Sequence, residues 1–327
     1  MQTFRYSQAQ TVEGAVRAAG SAGGAFIAGG TTLVDLMKLN VLQPRSVVDI
    51  NALPLDRVES LPGGGLRIGA MVRNSDLAWN QTVRQQYVVL SEALLSGASP
   101  QLRNMATTGG NLLQKTRCYY FRDTNYVCNK RQPGSGCAAQ DGFNRIHAVL
   151  GGSEHCVATH PSDMAVAMMA LEATVHTQGP KGERAIALDE FYLVPGSTPD
   201  RENVLQPGEL ITHVTLPALA SGTRSRYLKL RDRAQYEFAL ASSAVVVNVS
   251  GGRIQRARVA FGGVGTKPWR SREAEKALEG QDASSENFRR AADAAMADAK
   301  PLKYNAFKIE LAKRALVRTL TETTQAA

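Results

Sequence analysis

Apolar positions alternate with turn residues in short blocks along most of the chain. Residues 3–6 read as a short strand, and Thr11 to about Ala19 as a helix. "GAFIAGGTTLVDLMKLNVL" reads as strand, glycine turn and helix. Phe26 and Ile27 are strand-like, Gly29 and Gly30 break the chain, and Thr31 or Thr32 can cap Leu33–Leu39. "RSVVDIN" and "LPGGGLRIGAMV" each predict a strand, and Ser75–Leu95 carries helical patterns. "GASPQLRNMATTGGNLLQ" is rich in small and turn-forming residues. "HPSDMAVAMMALEATVHT" predicts a helix capped by Ser162 or Asp163, then a strand, and "GELITHVTLP" a further strand ended by Pro217. Beyond a boundary near Leu216–Thr223, three strands with a hairpin turn at Ser250-Gly251-Gly252 precede two or three helices. That final run is an α+β pattern. No internal repeat is visible.

Composition changes this picture little. The chain has 327 residues, enough for two or three compact units, with 43% hydrophobic and 20% charged residues. No apolar run reaches the roughly 18 residues that span a bilayer. "MQTFRYSQAQTVEGAV" lacks a basic stretch followed by an apolar one, so no secretory signal is expected, although a folded chain can be exported bound to a partner that carries one. The formal charge of +9 comes from scattered arginines and lysines with little aromatic interleaving. This argues against nucleic acid and for an acidic partner or a phosphate-bearing ligand.

All four cysteines, Cys118, Cys128, Cys137 and Cys156, fall within "CYYFRDTNYVCNKRQPGSGCAAQDGFNRIHAVLGGSEHC", a stretch with neither helical nor strand periodicity. Four thiols can be structural, form two disulfides, ligate zinc or hold an iron–sulfur cluster. Disulfides suit small secreted domains short of core. Zinc sites favour a close C-x2–4-C pair, which these spacings lack, although His147, His155 and His160 could contribute ligands. A cluster needs thiolates converging from a wrapped loop, and Gly134, Gly136, Gly142, Gly151 and Gly152 would permit wrapping. Lys115, Arg117, Arg122, Lys130 and Arg131 flank the cysteines; they are either simply solvated or, beside a cluster, would favour its reduced, anionic form.

No nicotinamide-binding GxGxxG follows a strand, and no P-loop is present. "IAGGTTL" and "ATTGGNLL" each run into a glycine pair and hydroxyl residues. There, backbone N–H groups can face an anion, and together the two turns could clamp a pyrophosphate.

These motifs, with "LRIGAMVRNSDLA", "HPSDMAVA", "GELITHVTLP" and "YLKLRDRAQYEFALAS", occur in the order seen in FAD-binding subunits of molybdenum hydroxylases, the family of xanthine dehydrogenase, carbon monoxide dehydrogenase and aldehyde oxidoreductases. The resemblance covers essentially the whole chain. Within that family the chain most resembles the flavin subunits of bacterial periplasmic aldehyde oxidoreductases, because about forty residues with four cysteines are inserted between the GGN turn and the SD motif. The flavin subunit of 4-hydroxybenzoyl-CoA reductase is similar in carrying an extra four-iron cluster.

The resemblance implies an α+β chain with the vanillyl-alcohol-oxidase-type (PCMH-type) FAD-binding fold. Two α/β subdomains, 1–55 and 56–217 with an iron–sulfur insertion at about 115–160, would precede a C-terminal α+β domain, 223–327. It implies FAD and a [4Fe-4S] cluster on Cys118, Cys128, Cys137 and Cys156. Phe26, Ile27, Ala28, Gly29, Gly30, Thr31, Thr32, Leu33 and Val34 would wrap the FAD diphosphate, with Thr107, Thr108, Gly109, Gly110 and Asn111 as the second wrap. Asp163 would accept hydrogen bonds from the cofactor, cap its helix, or both. Ile211 or Leu210 would pack near the adenine or ring end, Lys229, read as a solvated lysine, would meet the cofactor, and Tyr236 would lie near the flavin ring or be an ordinary half-buried tyrosine.

By the same resemblance, the chain is a flavoprotein electron-transfer subunit with no catalytic acid or base of its own. A molybdenum-cofactor large subunit and a [2Fe-2S] small subunit would complete a periplasmic heterotrimer, with a cytoplasmic location as the alternative. The external acceptor stays open among oxygen, a quinone and a ferredoxin. Alternatives are a stand-alone flavin oxidase, the flavin subunit of another molybdenum hydroxylase such as a 4-hydroxybenzoyl-CoA reductase-like enzyme, and a zinc-stabilised binding module.

Overall fold

The computed structural model describes residues 1–20 and 23–325. The first unit is a small parallel sheet. β1 (Arg5–Gln8), β2 (Gly24–Ile27) and β3 (Ser46–Asp49) pair in the order β1-β3-β2, with Arg5 and Gly24 both opposite Ser46. α1 (Val12–Ala19) and α2 (Leu33–Lys38) make the crossovers. Thr11 caps α1 by accepting from the Gly14 N–H, as a threonine before an apolar stripe should. The first strand starts two residues later than the sequence pattern suggests.

The second unit is built on a five-stranded antiparallel sheet. Its strands are β4 (Val58–Ser60), β5 (Leu66–Gly69), β6 (Thr174–Gly179), β7 (Gly182–Ala187) and β8 (Leu210–Leu216), ordered β4-β5-β8-β6-β7. Helices α3 (Asn74–Trp79), α4 (Gln81–Gln86), α5 (Val88–Ser96), α6 (Pro100–Met105) and α7 (Thr108–Leu112) follow β5. A single turn, α8 (Tyr119–Arg122), opens the cysteine segment; α9 (Asp163–Ala170) closes it, and α10 (Leu188–Phe191) follows β7. The "GASPQLRNMATTGGNLLQ" stretch therefore holds two helices. Pro100 occupies the first turn of α6 after a Ser99 cap, and Thr107 caps α7.

The third unit pairs β9 (Thr223–Leu230), β10 (Ala241–Ser250), β11 (Arg253–Gly262) and β12 (Trp269–Arg270) in antiparallel order β12-β11-β10-β9. α11 (Arg272–Leu278), α12 (Ser285–Ala295) and α13 (Phe307–Gln325) cover it. Every residue of α9 after Asp163 is buried, and a helix that is apolar on all sides must be enclosed. It packs in one core with residues of the five-stranded sheet, α5 and the C-terminal strands. The N-terminus of α9 thus sits where the second and third units meet.

The cysteine segment is held by side-chain bonds to backbone in place of ladders. Arg131 donates to the carbonyls of Tyr120, Phe121 and Tyr126, and Asn129 joins Gly136 and His155. From α13, the buried Lys308 ammonium donates to the carbonyls of Ile146, His147 and Gly263. Burial pushes Lys308 down to about 7, yet each of the three N–H bonds of an ammonium finds a carbonyl here. The segment also has its own small apolar core, in which Cys118, Phe121, Cys128, Cys156 and Val157 pack with Leu36 and Val41.

Candidate functional site

The two glycine turns are pressed together. A Cβ on Gly29 would lie 1.9 Å from the Met105 carbonyl oxygen, so only glycine allows this approach. Arg73 braces it by donating to Met105 O and to Asn51 Oδ1 (3.1 Å), while Asn51 donates to Ala28 O (3.0 Å). Gly30 takes φ +72°, the left-handed region, and turns the chain into α2. The N–H groups of Gly29, Gly30, Thr31 and Thr32 have no acceptor among the described residues. Such a row of free donors suits an anion.

Two cavities of about 190 and 470 Å³ meet at Thr31, Thr32 and Gly110 and form one elongated cleft. Its apolar end is lined by Phe26, Ala28, Leu33, Leu42, Ile50 and Ile211. Its middle is the pair of glycine turns. Its other end is lined by Asn111, Asp163, Lys229 and Tyr236. An apolar pocket, a row of amide donors and an ionic end make a recess shaped for a dinucleotide.

Most of the expected residues face this cleft. Three stand one layer back. Ile27 and Val34 pack under the Gly30 turn, where a Gly30 Cβ would meet them at 3.4 and 3.2 Å. Thr108 is fully buried and donates its hydroxyl to Val72 O (3.2 Å). The second wrap offers fewer free donors than expected, because Gly109 N–H bonds Ala70 O (2.8 Å) and Gly110 N–H bonds Thr107 Oγ1 (3.2 Å). No local signal pointed to Leu42 and Ile50 at the apolar end, or to Ala98, a non-glycine at φ +50° beside the ionic end.

Ser162 caps α9 by accepting from Ala165 N–H, which leaves the Asp163 carboxylate free. Lys229 Nζ reaches Asp163 Oδ2 at 2.7 Å and Ser96 O at 3.1 Å, and Tyr227 donates to Asp163 Oδ1 at 2.6 Å. The two side chains of the ion pair are 3% and 9% exposed, so Lys229 is buried and not the solvated lysine expected. Burial, with the Asp163 charge beside it, pushes the Tyr227 hydroxyl well above its ordinary value, which keeps it a donor. Tyr236, an exposed residue with φ at +55°, lines the same end.

The four cysteines line one further cavity, beside Tyr120, Asn129, Lys130 and His155, and all four are free thiols. Cys128 and Cys137 pair across an antiparallel bridge, and His147 Nε2 lies 3.1 Å from Cys118 Sγ. Among the described residues no three Cys, His, Asp or Glu side chains converge closely enough to hold a single metal ion. Burial, and the neighbouring Cys156 and Cys128, push the Cys118 thiol up to about 12; Cys137 and Cys156 are raised by burial and by their neighbours too. His160 lies apart, against the Tyr192 ring at 4.6 Å. Of the flanking basic residues only Lys130 lines this cavity. Arg117 and Arg122 bind Asp35, and Arg131 is spent on carbonyls.

Between the cleft and the cysteine cavity, Glu202 pairs with Lys115, which lines the cleft, and with Lys130 at 3.0 Å. Burial alone would raise the Glu202 carboxyl, but the two lysines outweigh it and hold it at about 2.

Known proteins share this architecture. Residues 2–219 match the family described as FAD binding domain in molybdopterin dehydrogenase, and residues 226–323 match the CO dehydrogenase flavoprotein C-terminal domain. The chain is 53% identical over 324 residues to the aldehyde oxidoreductase FAD-binding subunit PaoB of Escherichia coli, covering 98% of each chain. It is 29% identical to the carbon monoxide dehydrogenase medium chain of Hydrogenophaga pseudoflava, covering 91% of this chain and 88% of that one. A chain in a solved structure of the Hydrogenophaga pseudoflava carbon monoxide dehydrogenase superimposes with a TM-score of 0.78 at 28% identity, over 98% of this chain and 97% of that one.

Two outcomes follow from the buried charges. Lys229→Met strands the Asp163 carboxylate and should destabilise the fold by about 3 kcal/mol in chemical denaturation, with much of that recovered in Lys229→Met/Asp163→Asn. A single variant within about 0.5 kcal/mol of the parent would contradict the pairing. For Glu202, the folded value lies below the ordinary 4.5, so its contribution is complete above pH 4.5 and is lost as pH falls towards 2. The stability gap between the parent and Glu202→Gln, about 3 kcal/mol near neutrality, should therefore close over that window. A gap that does not change with pH would show that Glu202 is not so held.

Proposed function

The chain belongs to the FAD-binding family of molybdopterin dehydrogenases, and from that premise we propose that it is the electron-transfer flavoprotein subunit of a molybdenum-dependent aldehyde oxidoreductase. The observation that carries this reading is the 53% identity, end to end, with an aldehyde oxidoreductase FAD-binding subunit, on a chain whose glycine turns line one cleft. The fold is of the PCMH type, with one sheet in each of the spans 1–55, 56–217 and 223–327, which we take as its three domains.

In this reading Leu42, Ile50 and Ile211 receive the adenine. The free N–H groups of Gly29 to Thr32 bind the diphosphate, with Thr107, Gly109, Gly110 and Asn111 opposite. Asp163, fixed by Lys229 and Tyr227, and Tyr236 meet the ring end. FAD supplies the means to collect electrons singly and pass them on in pairs. The protein binds and orients it, and no side chain need act as general acid or base.

Cys118, Cys128, Cys137 and Cys156 hold a [4Fe-4S] cluster. Three of these thiols are buried and Cys137 is half-buried, and burial raises Cys118, Cys137 and Cys156, so a cationic core is what would favour their thiolate forms. They line one cavity, and their spacing lacks the close C-x2–4-C pair that zinc sites favour. The substrate pocket and its molybdenum cofactor lie on a large subunit, and a small [2Fe-2S] subunit delivers electrons. A periplasmic location rests on the family resemblance. Among the described residues no helix is long and apolar enough to cross a membrane.

The purified chain should therefore show no aldehyde oxidation. Adding the molybdenum and [2Fe-2S] subunits should make an aldehyde bleach the flavin absorbance of this chain under anaerobic conditions. Steady aldehyde turnover by the chain alone, free of molybdenum, would overturn the assignment and favour a stand-alone flavin oxidase.

A further inference from the structure

His147 stands behind the cysteine cavity. It is 1% exposed and does not line that cavity, yet its Nε2 lies 3.1 Å from the Cys118 sulfur. Its other ring nitrogen, Nδ1, is buried with no hydrogen-bond partner. A buried polar atom left unpaired costs stability. An apolar side chain would avoid that cost, so the imidazole is kept for what Nε2 does. The residue is also held firmly. His147 N–H donates to Asn144 O at 3.1 Å, while Asn305 and Lys308 of the C-terminal domain donate to His147 O at 3.2 and 2.9 Å.

Burial, with the Lys308 charge nearby, pushes the ring down to about 4, so it is neutral at ordinary pH and carries a single N–H. On Nδ1 that proton would face no acceptor. On Nε2 it faces sulfur. A free Cys118 thiol can donate to Nε2 or accept from it, but an iron-bound thiolate can only accept. The Nε2–H tautomer is then the arrangement that pairs the sulfur and strands no proton. Iron ligation by His147 itself fits less well, because the ring reaches Cys118 from outside the cavity.

We infer that His147 donates a hydrogen bond from Nε2 to the Cys118 sulfur of the bound [4Fe-4S] cluster and thereby raises the cluster's reduction potential. The inference rests on the cluster reading above. Reduction adds one electron, supplied by the [2Fe-2S] subunit in the complex and by dithionite in the test. No bond to His147 forms or breaks, and no proton is transferred. The electron puts more negative charge on the sulfur ligands, so the N–H stabilises the reduced form more than the oxidised one. His147 is a positioning residue that acts through Cys118, and its carbonyl contacts make α13 part of the cluster's setting.

The test uses the full chain, purified anaerobically and titrated with dithionite, with the reduced cluster followed by EPR. Iron and acid-labile sulfide are measured first, and their absence removes the cluster reading and this inference together. With the cluster present, His147→Leu should lower the midpoint potential by about 59 mV, a tenfold change in the reduced-to-oxidised ratio for one electron. His147→Gln, whose amide can donate from a similar position, should recover about half of that shift. A potential in His147→Leu equal to the parent's, or one in His147→Gln as low as in His147→Leu, would overturn this inference alone. A second measurement leaves His147 in place. The chain is labelled with 15N-histidine and carries His155→Gln, which removes the histidine that lines the cavity. Pulsed EPR of its reduced cluster should show a weak 15N coupling, as across a hydrogen bond. No coupling would overturn the inference, and the strong coupling of a directly bound nitrogen would replace it with His147 as an iron ligand.

Discussion

Residue 29 must be glycine because its backbone touches that of Met105. Everything in the cleft follows from this contact. It brings the turn after β2, from the small parallel sheet, against the α6–α7 junction, from the antiparallel one. The N–H groups of Gly29 to Thr32 then open onto a recess with Thr107, Gly109 and Gly110 on its far side. The network of Arg73, Asn51 and the two carbonyls holds the approach from behind. The cleft is therefore a property of two units meeting, and neither sheet supplies it alone.

The same principle places the ionic end. Asp163 starts a helix enclosed between two sheets, while its partners Lys229 and Tyr227 come from β9 of the third unit. A buried carboxylate at this junction is tolerable only with such partners. The cysteine segment depends on the third unit as well. Lys308 and Asn305 bond the carbonyls around His147, and Asn144 accepts from Tyr304 N–H. Cleft and cysteine cavity both lie where packed units converge.

This explains what was legible in the sequence. Local signals were readable: Thr11 before α1, Gly29-Gly30 before α2, the hairpin at Ser250–Gly252 and the four cysteines within one segment. Gly109 and Gly110 suggested a turn, yet they lie inside α7, because the Thr107 cap and the Ala70 carbonyl compensate for two poor helix formers. β4 and β7 went unseen, being a three-residue edge strand and a strand rich in charged and small residues. The burial of Lys229 could not be read locally, since its partner lies 66 residues away. The basic residues beside the cysteines looked like a charged shell, but Arg117, Arg122 and Arg131 turn to Asp35 and to carbonyls that only the fold brings near.

The central claim is that one chain carries both a flavin cleft and an iron–sulfur site. Cofactor analysis of the anaerobically purified chain tests it most directly. The account predicts one FAD, about four irons and about four acid-labile sulfides per chain. It also predicts that Cys137→Ser loses most of the iron and sulfide while FAD stays bound in the separate cleft. Zinc without sulfide, or iron content unaffected by Cys137→Ser, would contradict it.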